Sequence, residues 1–102
     1  MKISVVIPCY NESKTIKKVY EKVSDFKSLE KEIIIVDDYS TDDSRKIIEK
    51  IAESDPQVKV IFKDENQGKG SALKEGFKIA KGDLIIIQDA DMEYDPKDYL
   101  LL

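Results

Sequence analysis

Four short apolar runs punctuate the chain: ISVVIPC at 3–9, IIIV at 33–36, VKVIF at 58–62 and LIII at 84–87. Runs of this length, rich in β-branched residues and bounded by polar turns, predict strands buried on both faces of a parallel sheet. Between them the apolar positions change period. Ile16, Val19, Tyr20, Val23 and Phe26 form one stripe, Ile47, Ile48, Ile51 and Ala52 a second, and Ala72, Leu73, Gly76, Phe77 and Ala80 a third. Each predicts a helix with one apolar face laid on the sheet. The order β-α-β-α-β-α-β defines an α/β fold, an open and mostly parallel Rossmann-like sheet with helices on both faces.

Local signals agree with these boundaries. Ser40 with Asp43 three residues on resembles a capping box, Asp55-Pro56 breaks the chain before the third strand, and Gly82 is placed as a left-handed helix cap would be. Beyond the fourth strand, Asp95-Pro96-Lys97-Asp98 reads as a helix start and Tyr99 to Leu102 as its first apolar turns. A helix begun and cut short predicts that residues 1–102 are one domain of a longer protein, truncated at the carboxyl end; the plainer alternative is a frayed tail on a complete small domain. Apolar surface left uncovered there would let the chain associate with itself through the truncated edge.

Composition narrows the chemistry. A chain of 102 residues supports one core, burying roughly 60–70% of its unfolded surface. With 17 basic and 21 acidic residues the net charge is −4, which gives no nucleic-acid footprint. No apolar run approaches the ~18 residues of a membrane span, and MKISVVIPCYNE lacks the pattern of a secretory signal, so the expected compartment is the cytoplasm. The single Cys9 and the absence of histidine exclude an internal disulfide, thiolate–imidazole zinc sites and His-assisted nucleophiles. Carboxylates, hydroxyls, lysines or a hard metal ion remain.

Ligands of open parallel sheets bind outside the carboxyl ends of the strands. Those ends carry Pro8-Cys9-Tyr10-Asn11-Glu12, then Asp37-Asp38-Tyr39-Ser40-Thr41-Asp42, then Lys63 to Gly70, then Asp89-Ala90-Asp91-Met92-Glu93. In extended backbone Asp89 and Asp91 would leave the same face about 6.6 Å apart, a span that one divalent ion bridges. Mg2+ or Mn2+ takes one or two carboxylates plus substrate phosphates, so an acidic edge can hold an anionic nucleotide. The plainer reading is an acidic loop that is simply solvated and caps a helix. Asp37 and Asp38 could likewise cap the helix near Ser40, but two acids exceed what one cap needs, which points to at least one as a ligand of ribose or base. Gln67-Gly68-Lys69-Gly70-Ser71 supplies flexible backbone and a cation that can meet a phosphate or sugar, but it matches neither Gly-rich phosphate motif and reads equally well as a plain turn with a solvated lysine. Cys9 and Met92 read as packing residues; Tyr10 is either a stacking platform or a buried aromatic.

Together VVIPCYNE, EIIIVDDYSTDDS, ENQGKGSALKEGF and GDLIIIQDADMEYDP resemble the nucleotide-sugar-binding half of an inverting family 2-type glycosyltransferase of GT-A fold, similar to the polyprenyl-phosphate and dolichol-phosphate sugar transferases. The resemblance spans residues 3–96. It implies a UDP- or GDP-sugar donor and Mg2+ or Mn2+. Pro8, Tyr10, Asn11 and Glu12 would line the nucleoside pocket, Asp37 and Asp38 would hold base or ribose, and Lys69 would lie near the donor. Asp89 and Asp91 would be the catalytic pair, Asp89 contacting the sugar or metal-bound water and Asp91 the ion bridging the two phosphates, with Glu93 assisting the metal. It further implies a polyprenyl phosphate among the acceptors. In such proteins the acceptor-binding strands, any general base and often carboxyl-terminal membrane helices follow this region, which would set a full-length relative at the cytoplasmic membrane face.

Two other readings remain open at this stage. A receiver-like, Mg2+-dependent phospho-accepting domain would use Asp37, Asp38 and Asp89, but needs two later strands bearing a hydroxyl residue and a lysine, and only thirteen residues follow Asp89. A binding-only remnant would carry the same motifs without turnover.

Overall fold

The computed structural model describes residues 1–26 and 30–91. Four parallel strands, β1 (Lys2–Cys9), β2 (Glu30–Asp37), β3 (Val58–Phe62) and β4 (Leu84–Ile87), alternate with helices α1 (Ile16–Asp25), α2 (Ser44–Ser54) and α3 (Lys69–Ile79). The strands are ordered β3-β2-β1-β4. The chain therefore winds outward from β1 through β2 to β3, then returns to place β4 on the other side of β1. The α/β architecture read from the apolar periodicity is the observed one.

Two clusters of apolar side chains sandwich the sheet. On one face Val5, Ile7, Ile33 and Ile35 pack against Ile16, Val19 and Val23 of α1 and Ile48 and Ile51 of α2. On the other, Val6, Ile34 and Val36 meet Ala72 of α3, with Leu73 and Ile79 beside it. Burying an Ile or Val side chain contributes about 1.5–3 kcal/mol, so the β1–β2 pair anchors the domain. Gly76 allows α3 to approach closely, since a Cβ there would fall 2.6 Å from Val6 Cγ1.

Several details depart from the sequence expectations. β2 begins at Glu30, ahead of its apolar run, because Lys31 and Glu32 are buried and paired. Glu32 accepts hydrogen bonds from Ser4 Oγ at 2.5 Å, Lys81 N at 2.5 Å and Lys59 Nζ at 2.7 Å. β4 is not buried on both faces: among the described residues it pairs only with β1, and Leu84, Ile85 and Ile87 are each 44–49% exposed. Phe77, assigned to the buried stripe of α3, is exposed, and Ile79 packs in that cluster.

Ser40 does not cap α2. The helix starts at Ser44, and Ser40 turns back to Asp37, donating its N–H at 3.0 Å and its hydroxyl at 2.5 Å. Gly82 is not a left-handed cap either, because α3 ends through Ala80 in an extended conformation. The glycine answers a different need. A Cβ on Gly82 would lie 2.7 Å from Ser4 N and 2.9 Å from the Ile3 carbonyl carbon, while its own N–H donates to Ser4 Oγ at 2.8 Å. No described helix is long and apolar enough to cross a membrane. Met92, Glu93 and the helix start expected at residues 95–98 lie outside the described residues.

Candidate nucleotide-sugar site

The strand order places its reversal between β1 and β4, where a crevice opens at the carboxyl ends. Proline helps to open it. Pairing of β1 with β4 stops at Val6–Ile87, so Pro8, two residues further, forfeits no ladder bond on that side by lacking an N–H. Beyond this point lies a cleft of about 250 Å3. Pro8, Cys9, Tyr10 and Glu12 from β1 and its loop, Asp38 after β2, Lys69 and Ala72 of α3, and Asp89, Ala90 and Asp91 after β4 form its wall.

The acidic tip is reached through a turn. β4 ends at Ile87 and the chain bends at Ala90–Asp91, so the extended geometry expected for Asp89 and Asp91 does not apply, although both face the cleft. The turn is held at both ends. Gln88, fully buried, donates its N–H to the Val6 carbonyl at 3.0 Å, and Thr15 Oγ1 at the start of α1 donates to the Ala90 carbonyl at 2.5 Å. Opposite them Lys69 forms an ion pair with Asp89 Oδ1.

Asp38 and Asp37, adjacent in sequence, have separate surroundings. Asp38 lines the cleft and accepts the N–H groups of Gln67 at 3.1 Å and Gly68 at 2.8 Å, with Lys63 Nζ 3.6 Å away. It thereby fixes the turn that leads into α3, where Gly68 adopts φ +92°, a backbone conformation that favours glycine. Lys63, itself buried, also donates to Ser71 Oγ in the first turn of α3. Asp37 faces away from the cleft. It is fully buried and carries Arg45 Nε at 2.7 Å, besides the two bonds from Ser40. The Arg45 guanidinium sits between the Tyr39 and Phe62 rings, 5.4 and 5.2 Å from their centroids, and donates to the Lys63 carbonyl. Both carboxylate oxygens of Asp37 are thus held by Ser40 and Arg45, away from the cleft that Asp38 lines.

On the β1 side, Tyr10 lines the cleft and is 44% exposed, so it is not a buried aromatic. Glu12 sits in the turn ahead of α1: its carbonyl accepts Thr15 N at 3.1 Å and Ile16 N at 2.9 Å, and it lines the cleft. Asn11, between them, is not part of the wall; its side chain turns to the loop after β2. Cys9 is buried, and desolvation, reinforced by the nearby Asp37 charge, pushes its thiol up to about 12, so it stays protonated and unreactive at neutral pH.

The structure thus brings Pro8, Tyr10, Glu12, Asp38, Lys69, Asp89 and Asp91 to one cleft and sets Asn11 and Asp37 behind it. Arg45, Lys63, Ser44 and Thr15, which support the wall, carried no sequence signal, because each acts across loops at irregular separations. Among the described residues no group of three or more acidic or thiol side chains forms a self-sufficient cation site. Two carboxylates at an open cleft fit a hard divalent ion that takes its remaining ligands from substrate phosphates and water.

Comparison with known proteins bears on this cleft. The model for "Glycosyl transferase family 2" matches residues 4–102. The chain is 42% identical over 101 residues to the undecaprenyl-phosphate 4-deoxy-4-formamido-L-arabinose transferase of Proteus mirabilis, covering 95% of this chain and 31% of that protein. It is 36% identical over 98 residues to the dolichol-phosphate mannosyltransferase of Pyrococcus furiosus, covering 95% and 28% respectively. A mannosyltransferase of Pyrobaculum calidifontis, solved in complex with GDP-Man and Mn2+, superposes with a TM-score of 0.82 at 28% identity, over 96% of this chain and 30% of that one. The chain spans about a third of the length of these relatives, and over that span the motifs, the fold and the family model agree: it belongs to glycosyl transferase family 2.

Proposed function

We propose that the cleft between β1 and β4 binds a UDP- or GDP-sugar and that this chain supplies the donor half of an inverting glycosyl transfer. The observation that carries the reading is the meeting of Asp38, Lys69, Asp89 and Asp91, drawn from three separate loops, in one cleft at the reversal of strand order. Pro8, Tyr10 and Glu12 wall the nucleoside end, with Tyr10 offering its ring to the base. Asp38 faces ribose or base while holding the Gly68 turn, and Lys69 exchanges Asp89 for the donor diphosphate. Asp89, once released, accepts hydrogen bonds from sugar hydroxyls.

Mg2+ or Mn2+, held by Asp91 with Glu93 beside it in sequence, would neutralise charge on the departing diphosphate. In the transfer an acceptor oxygen bonds to the anomeric carbon as the bond to the nucleoside diphosphate breaks, and the electron pair leaves with the diphosphate. A polyprenyl phosphate acceptor, suggested by the two lipid-phosphate transferases among the relatives, is already anionic and needs no base. An alcohol acceptor would pass its proton to a carboxylate base. The half-exposed aliphatic edge of β4 also supports self-association, which a monomeric sedimentation profile would reject.

The deciding experiment is calorimetric titration with UDP-glucose and GDP-mannose, each with Mn2+ and with chelator. Metal-dependent binding of one donor, lost in Asp91→Ala, is the expected result. Absence of heat from the folded chain with both donors sinks the reading.

A further inference from the structure

The loop after β1 and the loop after β2 are joined by a reciprocal clasp. Three consecutive backbone N–H groups of the first loop donate to side-chain oxygens of the second loop and of the first residue of α2: Asn11 to Ser40 Oγ at 2.9 Å, Glu12 to Ser44 Oγ at 3.0 Å and Ser13 to Asp42 Oδ2 at 3.2 Å. The side chain of Asn11 answers in the other direction. Its Oδ1 accepts Thr41 N at 2.7 Å and Asp42 N at 3.3 Å. For this Asn11 holds a left-handed backbone, φ +52°, which costs other L-residues more than asparagine. Asp42 closes the circuit by accepting Ser44 N at 2.9 Å, and Ser44 is fully buried.

Such an arrangement leaves Asn11 with its carbonyl oxygen committed to protein backbone, while its two neighbours, Tyr10 and Glu12, form the cleft wall. A one-residue left-handed step between them turns both toward the cleft and Asn11 away from it. We propose that Asn11 is a positioning residue, whose clasp on the 41–42 backbone sets Tyr10 and Glu12 for the donor nucleoside, and that it makes no donor contact itself. The inference rests on the donor reading given above. The charge of Asp42 belongs to the same device: burial opposes its ionisation, but bonds from Ser44 and Ser13 outweigh this and lower its pKa.

Two substitutions separate positioning from contact. Asn11→Gly keeps the left-handed backbone available but removes the clasping carbonyl. Asn11→Asp keeps an acceptor for the Thr41 and Asp42 amides but removes the side-chain N–H2 that a donor contact would use. Amide hydrogen exchange at Thr41 and Asp42, chemical shifts of Tyr10 and Glu12, and calorimetric titration with UDP-glucose and GDP-mannose in Mn2+ are measured on each full chain. Expected in Asn11→Gly are lost protection at both amides, shifted Tyr10 and Glu12 signals, and donor affinity weakened about tenfold, as two missing hydrogen bonds would give. Asn11→Asp keeps the protection and stays within about threefold of wild-type affinity.

A donor affinity that collapses in Asn11→Asp with amide protection intact would show that Asn11 touches the donor, and would overturn the proposal. So would an Asn11→Gly chain indistinguishable from wild type. If the wild-type chain binds neither nucleotide sugar, the donor reading falls. Exchange and chemical shifts still decide the clasp: unchanged Tyr10 and Glu12 signals in Asn11→Gly reject it.

Discussion

Lys69, in the first turn of α3, reaches across the cleft to pair with Asp89 beyond β4, joining the start of α3 to the turn that follows the next strand. The pair is 56% and 18% exposed on its two sides, so solvent screens it and it contributes little to folding. Its position matters more than its strength. On the proposed donor reading, this cation would serve as a mobile counter-charge that moves from carboxylate to diphosphate when a donor enters.

Lys69→Ala should therefore change the melting temperature by no more than a few degrees, as a screened pair worth less than about 1 kcal/mol requires. The same substitution should weaken donor binding by about tenfold, since a charge-assisted bond to phosphate contributes roughly 1.5–3 kcal/mol. Calorimetry beside a thermal melt checks both. A large loss of stability with unchanged donor affinity would make Lys69 a structural residue.

Asp38 should behave in the opposite way. Its carboxylate carries Gln67 N, Gly68 N and the buried Lys63, so Asp38→Ala strands the Gln67 amide, leaves Gly68 N only its bond to Asn66 Oδ1 and removes the counter-charge of Lys63. Loss of one partner from such a group costs about 2–4 kcal/mol, and the melting temperature should fall by at least 8 °C or so even without donor. Asp38→Ala combined with Lys63→Met, which removes the stranded charge, should recover part of that loss. Additive effects in the double variant would show that the two side chains are not coupled.

Gly82→Ala tests close approach without strain in φ. The added methyl would meet backbone atoms of Ile3 and Ser4 in β1, which cannot swing aside as a side chain would. Gly76→Ala meets the Val6 side chain, which can turn. Chemical denaturation should show Gly82→Ala losing about 2 kcal/mol or more and Gly76→Ala losing less. The reverse order would mean that the turn between α3 and β4 moves freely.

How far the sequence reached is best seen in β2 and β4. IIIV announced β2 because unbroken aliphatics between polar turns have no other good home, yet the strand extends back through Glu30, Lys31 and Glu32. Those charges are tolerated only because Ser4, Lys59 and Lys81 arrive from elsewhere, which no local pattern encodes. LIII announced β4 equally well, but apolarity does not say whether a strand has neighbours on both sides, and among the described residues this one pairs only with β1. The site divides similarly. The acids were legible by their place after strands, whereas the division of work between Asp37 and Asp38 was not. It depends on Arg45, lodged between Tyr39 and Phe62, taking one carboxylate and leaving the other to the cleft.

Glu32 gives the fold its pH dependence. Burial alone would raise its pKa, but the bonds from Lys59, Ser4 and the Lys81 backbone outweigh that and hold it at about 2, against 4.5 for an ordinary glutamate. A carboxyl group depressed in the folded state stabilises fully above its unfolded pKa and loses that contribution as pH falls through the folded one. The stability supplied by Glu32 should thus be complete above pH 4.5 and disappear toward pH 2, a loss of up to about 3 kcal/mol. Asp42, whose pKa is also lowered, adds to the same slope. Urea midpoints from pH 6 to pH 2 should fall steeply for the wild-type chain. They should fall less for Glu32→Gln, which starts lower because Lys59 loses its partner but has no such proton to gain. Parallel curves for the two chains would place the acid-sensitive group elsewhere.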